Sequence, residues 1–452
     1  MIFRRSIMEK LHAWKQECLG RKALLLEGAR RIGKSTIVQE FGKQSYKSCL
    51  VIDFNDASKN VLSFFANHLN ELDTFFLLLS TECNTPLYPR ESLIVFDEVQ
   101  KYPLARQAIK RLVADGRFDY IETGSLISIH ENVKDITIPS EERHLKMYPM
   151  SFEEFCHALD AESLFSYLRR CFDESSFVEE GLHYKAMLLF RQYMLTGGMP
   201  RSVAAYLENG RSFKAADAEK RDILALYRSD IMKIGRRYRS KVLAVFDQLP
   251  GFLSRHEKKV VFKELQPNGN YNAYEDTFFW LSDAMISNEC FRCDDPQMGL
   301  SLHENRTSLK CYFGDTGLLI SHTFSDAELE QEQLYKEILS GKIAVNQGMF
   351  YENMIAQMLV ANGHKLFFYS NYNPQKHRSD MEVDFLISNY SKLRHRISPV
   401  EVKSGRNYSI LSLERFLQQF KDQCDIAYVL HPKNLRQDGK ILYLPAYMAC
   451  FL

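Results

Sequence analysis

The sequence predicts an α/β protein: a parallel sheet carrying an anion-binding loop, then a helical region, then a second α/β domain. Three stretches carry that expectation: a glycine-bounded turn at residues 28–36, an apolar run closing on two carboxylates at 92–98, and acidic and basic positions spread over 352–403. At 452 residues the chain is long for one core and should hold about three domains. Hydrophobic residues at 45% and charged residues at 25% are ordinary for a globular chain and leave little room for disorder. A net charge of +1 argues against a protein that coats polyanions in general, but not against local basic patches.

The first residues, Met1-Ile2-Phe3-Arg4-Arg5-Ser6, bring early positive charge, but Glu9, Lys10, His12 and Lys15 interrupt any apolar core, so they do not read as a signal peptide. No apolar run is long enough to span a bilayer, and the expectation is a cytoplasmic protein with no membrane partner. The 10 cysteines show no regular framework and read as free thiols in a reducing compartment. Cys290-Phe291-Arg292-Cys293 has no second pair to complete a zinc site and reads as two ordinary cysteines near a strand.

Residues 7–19 place Ile7, Met8, Leu11, Trp14 and Cys18 at helical spacing. This lead-in helix either packs near an adenine or simply covers the sheet edge. Lys22-Ala23-Leu24-Leu25-Leu26-Glu27 reads as a short buried parallel strand. Gly28-Ala29-Arg30-Arg31-Ile32-Gly33-Lys34-Ser35-Thr36 follows and fits the P-loop pattern G-x-x-x-x-G-K-[ST]. Gly28 and Gly33 let the backbone curl so that successive N–H groups point at a phosphate. Lys34 places a point charge between the β- and γ-phosphates, and the Ser35 hydroxyl completes a Mg2+ shell. The helix that begins at Ser35 turns its N-terminus toward the same anion.

Residues 48–54 form a second strand and 60–82 a helical stretch. Ser92-Leu93-Ile94-Val95-Phe96-Asp97-Glu98 then has the Walker B arrangement. Its apolar run buries a strand in the sheet and delivers Asp97 to the Mg2+ beside the P-loop. Glu98, one residue on, is the candidate to orient or deprotonate the attacking water. A helix at 105–114 and a strand at 117–122 lead to Thr123-Gly124-Ser125. That turn either contributes polar groups, Thr123 and Ser125, to the γ-phosphate or its water, or is a plain glycine turn.

In order, GARRIGKST, FDEVQKYP, TGS, YPMSFEEF (148–155) and GGMPRSV (197–203) resemble the prokaryotic AAA-type ATPases whose C-terminal half is a poorly characterised accessory region. The match covers nearly the whole chain. It implies ATP and Mg2+ as cofactors, a helical lid that closes on the nucleotide, and a homo-oligomer as a candidate assembly. In that family a Gly-Arg pair commonly precedes the Pro-x-Ser-Phe segment; here Glu142-Arg143 stands there. Arg143 is therefore the candidate charge-stabilising finger or sensor on the γ-phosphate.

Residues 151–240 are helical by pattern and correspond to the lid, with Gly197-Gly198-Met199-Pro200 as its natural hinge. The basic cluster from Lys233 to Lys241 either meets nucleic-acid phosphates or is a solvated helix end. In 241–325, helices at 242–249, 260–265 and 272–285 precede strands at 286–292 and 309–313, which is the order of a winged helix. Phe278, Phe279, Trp280, Leu281 and Met285 are the expected apolar face of its third helix. Asp276 and Asp283 make that helix a poor surface for phosphates, so a packing or dimerisation module stands beside the DNA-reading one.

The remaining region, 326–452, has a helix at 348–362, strands at 365–369, 381–387 and 399–404, a helix at 411–421 and a strand at 426–430. This is the order of the restriction-endonuclease-like fold, and Asp384 with Glu401-Val402-Lys403 resembles its D…E-x-K signature. Residues two apart on a strand share a face about 6.6 Å apart, so Glu401 and Lys403 point to one side. With Asp384 opposite, two carboxylates would hold Mg2+ while Lys403 steadies a hydroxide or phosphate; Glu352 would add a further acid from the helix. The bland reading of E-x-K is a solvated sheet face. The whole chain thus reads as an AAA-type P-loop ATPase domain (1–150), a helical lid (151–240), a winged-helix module (241–325) and a restriction-endonuclease-like domain (326–452). Two outputs fit it: a machine directed to double-stranded DNA in which ATP and ADP states gate the C-terminal domain, or a switch that binds a protein partner through a silent scaffold.

Overall fold

Ala23–Gly28 is buried at every position and forms β1. Continuous burial is what a strand covered by helices on both faces requires. Around it the computed structural model, which describes residues 1–124, 141–325, 331–340, 347–373, 378–389 and 396–452, builds the first of two units, Met1–Tyr148 and Pro149–Leu452. The further strands of this unit are β2 (Ser48–Asp53), β3 (Ser92–Asp97), β4 (Asp119–Gly124) and β5 (Glu142–Met147). All pair in parallel in the order β2-β3-β4-β1-β5. The register sets Leu26 beside Thr123 and Asp53 beside Asp97. The carboxyl ends of β1, β3 and β4 therefore share one sheet edge, where open parallel sheets take their ligands.

Helix Lys34–Ser45 follows β1 directly. The stretch expected as one helix over 60–82 is two, Lys59–Asn67 and Leu72–Glu82. One straight helix of that length would extend about 34 Å, whereas the break folds Phe65 against Phe75, with ring centroids 5.1 Å apart, over the Phe54 and Phe96 rings.

The second unit opens with helices, among them Phe152–Ala158, Glu180–Thr196, Phe213–Lys233 and Arg236–Leu253. It then builds a mixed eight-stranded sheet from β6 (Ser287–Cys293), β7 (Glu304–Phe313), β8 (Leu366–Asn373), β9 (Arg378–Asn389), β10 (Arg396–Val402), β11 (Ala427–His431), β12 (Arg436–Asp438) and β13 (Ile441–Pro445). β6 and β7 form the antiparallel hairpin expected after three helices, and β6 pairs in parallel with β8. One sheet thus runs across residue 325. From helix Gln347–Ala361 the elements follow as β8, β9 and β10, with β9 antiparallel to both its neighbours, then helix Leu411–Gln419 and β11, parallel to β10.

One local expectation changes. In helix Tyr271–Asp283 the buried face is Tyr271, Tyr274, Phe278 and Leu281, and Phe279 is exposed. At 100° per residue, Phe279 cannot share the face of Phe278 and Leu281. The basic cluster joins two helices: Lys233 pairs with Asp230 at 2.8 Å, Arg239 donates to the Ile234 carbonyl, and Lys241 to that of Ala273.

Nor is Gly197-Gly198 a free hinge. Asp315 accepts the Gly198 N–H at 2.6 Å and the Leu318 N–H at 2.9 Å, tying the turn to the start of helix Thr316–Thr323. At Gly197, φ is +76°, and an added Cβ would stand 2.4 Å from Asp315 Oδ1 and 3.1 Å from the Gly317 Cα. Two backbones meet here with no room for a side chain. Gly197→Ala should therefore lower stability by about 2 kcal/mol or more, read as a drop in the urea midpoint of the full chain.

Candidate functional site

The loop after β1 is shaped by close approaches. A Cβ on Gly28 would lie 2.6 Å from the Met147 carbonyl and 2.4 Å from the Ile32 side chain. Arg31 and Gly33 take φ of 70° and 90°, turning the chain back so that Gly33 caps helix Lys34–Ser45 without a side-chain bond. The first-turn N–H groups, together with the helix dipole, then face the sheet edge and favour an anion. Ala29 and Ile32 are buried supports, Arg30 and Ser35 are half-buried, and Arg31 and Thr36 are exposed.

Lys34 is buried, and its Nζ donates to the carbonyls of Gly28 at 2.9 Å and Ala29 at 3.0 Å. Burial lowers its pKa to about 8, against the opposing pull of Glu98 and Asp97. Both carboxylates therefore lie within electrostatic reach of the loop lysine. Asp97 is buried at the end of β3 and accepts a hydrogen bond from the Thr123 hydroxyl. Thr123, expected to meet the γ-phosphate, thus acts on the carboxylate beside it. Glu98 sits just past the strand with φ 53° and ψ 44°, and accepts from the Gln100 amide. A left-handed conformation costs a non-glycine residue about 1–2 kcal/mol, and such strain concentrates at functional positions. Ser35 and Asp97 are the two groups that would hold Mg2+. Few protein ligands suit this ion, which keeps waters and takes phosphate oxygens.

Arg143 must be corrected as a γ-phosphate residue of its own loop. On β5 it pairs with Leu24, four residues before Gly28, or about 13 Å back along the strand. There its guanidinium meets Glu17 at 2.6 Å, half-exposed. The structure brings in a different arginine. Arg5 is buried and donates to the Ile32 carbonyl at 3.1 Å and to the Tyr148 carbonyl at 2.7 Å. Its sequence signal was only early positive charge. Ser125 lies outside the described residues.

Residues 20–156 match the family model of an AAA domain. Residues 187–329 and 347–447 match two domains of unknown function, DUF8612 and DUF4143. No curated protein matches. Solved structures similar to the chain include a Walker-type ATPase of Pyrococcus abyssi, at 15% identity over 71% of this chain and 96% of that one, with a TM-score of 0.41. The Aeropyrum pernix ORC1 protein in complex with DNA aligns at 11% identity over 74% and 95%, with a TM-score of 0.30. Drosophila ORC bound to DNA aligns at 15% over 72% and 96%, with a TM-score of 0.28. The strand order and loop geometry above are those of a parallel-sheet P-loop ATPase, and the AAA domain is followed by a mixed-sheet unit. Among the described residues, no helix is long and apolar enough to cross a membrane.

Beyond the AAA domain, the second unit gathers Glu352, Asp384, Glu401 and Lys403. Lys403 Nζ stands 2.6 Å from Glu401 Oε1, and Asp384 Oδ2 accepts the Val402 N–H at 2.8 Å. Two lysines that the sequence reading missed join them. Lys310 of β7 lies 3.3 Å from Glu352, 3.0 Å from Glu382 and 3.8 Å from Asp384, and Lys258 lies 2.8 Å from Glu352. Burial pushes the Asp384 carboxyl up, and Glu352 adds to it; burial and then Asp384 push Glu401 up. For Glu352, burial is outweighed by Lys258 and Lys310, which hold it low. The expected trio of metal ligands, Glu352, Asp384 and Glu401, is corrected accordingly. Among the described residues no group of three or more His, Cys, Asp or Glu side chains could hold a metal ion; Lys310 stands among Glu352, Glu382 and Asp384, and Lys403 beside Glu401. Cys290 and Cys293 are buried and free, and odd spacing sends them to opposite faces of β6.

Two outcomes test this geometry. A bound triphosphate raises the Lys34 pKa from its free value of about 8, so binding takes up a proton once pH exceeds that value. ATP affinity should be flat below pH 8 and fall above it, as titration with a fluorescent ATP analogue would show. Thr123→Val, which frees Asp97, should reduce Mg2+-dependent turnover about tenfold while leaving metal-free nucleotide binding intact.

Proposed function

We propose that this chain is a magnesium-dependent ATPase in which the AAA domain binds and hydrolyses ATP and the nucleotide state sets what the C-terminal unit binds. The reading is carried by the gathering of Lys34, Asp97, Thr123 and Glu98 at one edge of the sheet. Lys34 would exchange the Gly28 and Ala29 carbonyls for β- and γ-phosphate oxygens, whose charge repays its burial better than neutral carbonyls do. Ser35 and Asp97 would hold Mg2+, with Thr123 fixing the rotamer of Asp97. A bound Mg2+ supplies charge neutralisation of the phosphates. Glu98, held in its strained conformation, would take the proton of the attacking water.

A second reading, a DNA-directed enzyme that cuts phosphodiesters under nucleotide control, is favoured by one observation. Asp384, Glu401 and Lys403 come together on neighbouring strands. It predicts a double-stranded DNA partner, whereas the first predicts a protein partner or a second copy of the chain.

Glu98→Gln should bind ATP as the native protein does and turn it over about 100-fold or more slowly. Phosphate release measured with and without double-stranded DNA separates the readings. Indifference to DNA is expected, and strong stimulation would favour the second. Hydrolysis unchanged in Glu98→Gln would remove Glu98 from its role.

A further inference from the structure

We propose that Lys310 is a built-in cation: its ammonium takes the place among Glu352, Glu382 and Asp384 that a divalent ion would need, so the C-terminal unit does not cleave phosphodiesters. This goes beyond the ATPase reading and does not depend on it.

The argument is one of occupancy. Lys310 is only 1% exposed and reaches from β7 across the Phe368 ring of β8, with Nζ 5.0 Å from the ring centroid. Its ammonium ends between carboxylates from two elements, Glu352 of helix Gln347–Ala361 and Glu382 and Asp384 of β9. Glu352 is engaged at both oxygens: Oε1 meets Lys310 and the Tyr312 hydroxyl, and Oε2 meets Lys258. Asp384 Oδ2 accepts the Val402 N–H, Asp384 Oδ1 faces Lys310, and Glu401 Oε1 is held by Lys403. Glu401 Oε2 is buried without a hydrogen-bond partner, and Lys310 meets only one oxygen of Glu382.

Charge points the same way. Three ammonium groups, on Lys258, Lys310 and Lys403, answer four carboxyls, on Glu352, Glu382, Asp384 and Glu401. A divalent ion entering the cluster would meet like charge at contact distance in a low-dielectric interior. Lys258 adds a sign that the arrangement is built: it sits in a left-handed conformation, φ 51°, that non-glycine residues avoid, and its side chain is directed at Glu352. Both blocking lysines come from the 241–325 segment, outside the helix and strands that carry the carboxylates.

The test is Mn2+ binding to the full chain without nucleotide, followed by electron paramagnetic resonance. Native protein and Asp384→Asn, which keeps an acceptor for the Val402 N–H, should bind Mn2+ identically. A site in the native protein that Asp384→Asn removes would overturn the proposal. So would Mn2+-dependent nicking of supercoiled plasmid that this change abolishes. Lys310→Met should gain an additional Mn2+ ion per chain, lost again when combined with Asp384→Asn. A Lys310→Met chain that melts cooperatively yet gains no ion also overturns the proposal; if that variant does not fold, the comparison of native protein with Asp384→Asn decides alone. Absence of ATP turnover would leave all these outcomes unchanged.

Discussion

An ammonium group can be buried only where oxygens replace its water, and each unit of this chain buries at least one. Lys34 rests on two backbone carbonyls, neutral acceptors that a phosphate can replace. Burial accordingly dominates and lowers its pKa. Lys310 rests among three carboxylates, which overcome the same burial and raise its pKa well above the usual lysine range. The first arrangement is exchangeable and suits a ligand-binding loop. The second is closed, because no incoming anion can better the partners already in place.

The P-loop is also tied to the end of its own unit. Gly28 approaches Met147 too closely for any side chain, and Arg5 bridges the carbonyls of Ile32 and Tyr148. Tyr148 is the last residue of the first unit. In the second unit the turn at Gly197 and Gly198 is similarly bound, through Asp315, to a segment far away in sequence. Rigidity of that kind suits moving helices as one body rather than bending them at a hinge.

Where local chemistry is self-sufficient, the sequence alone determined the outcome. The apolar runs of β1 and β3, the glycines of the loop and the carboxylates at the end of β3 follow from strand period and backbone freedom, which neighbours in sequence dictate. The spacing of Glu401 and Lys403 likewise implies a shared face. Only the tertiary structure decided which charges meet. Arg143 lies one strand from β1 but in a register that carries it to the far end of the sheet. Arg5 and Lys310 reach their sites from distant segments, through side chains with no periodic signature. Thr123 is turned to Asp97 because two parallel strands bring them side by side. Ion pairing acts through space over a few ångströms and is indifferent to separation along the chain, so the partners of a buried charge become visible only once the sheet has set its register.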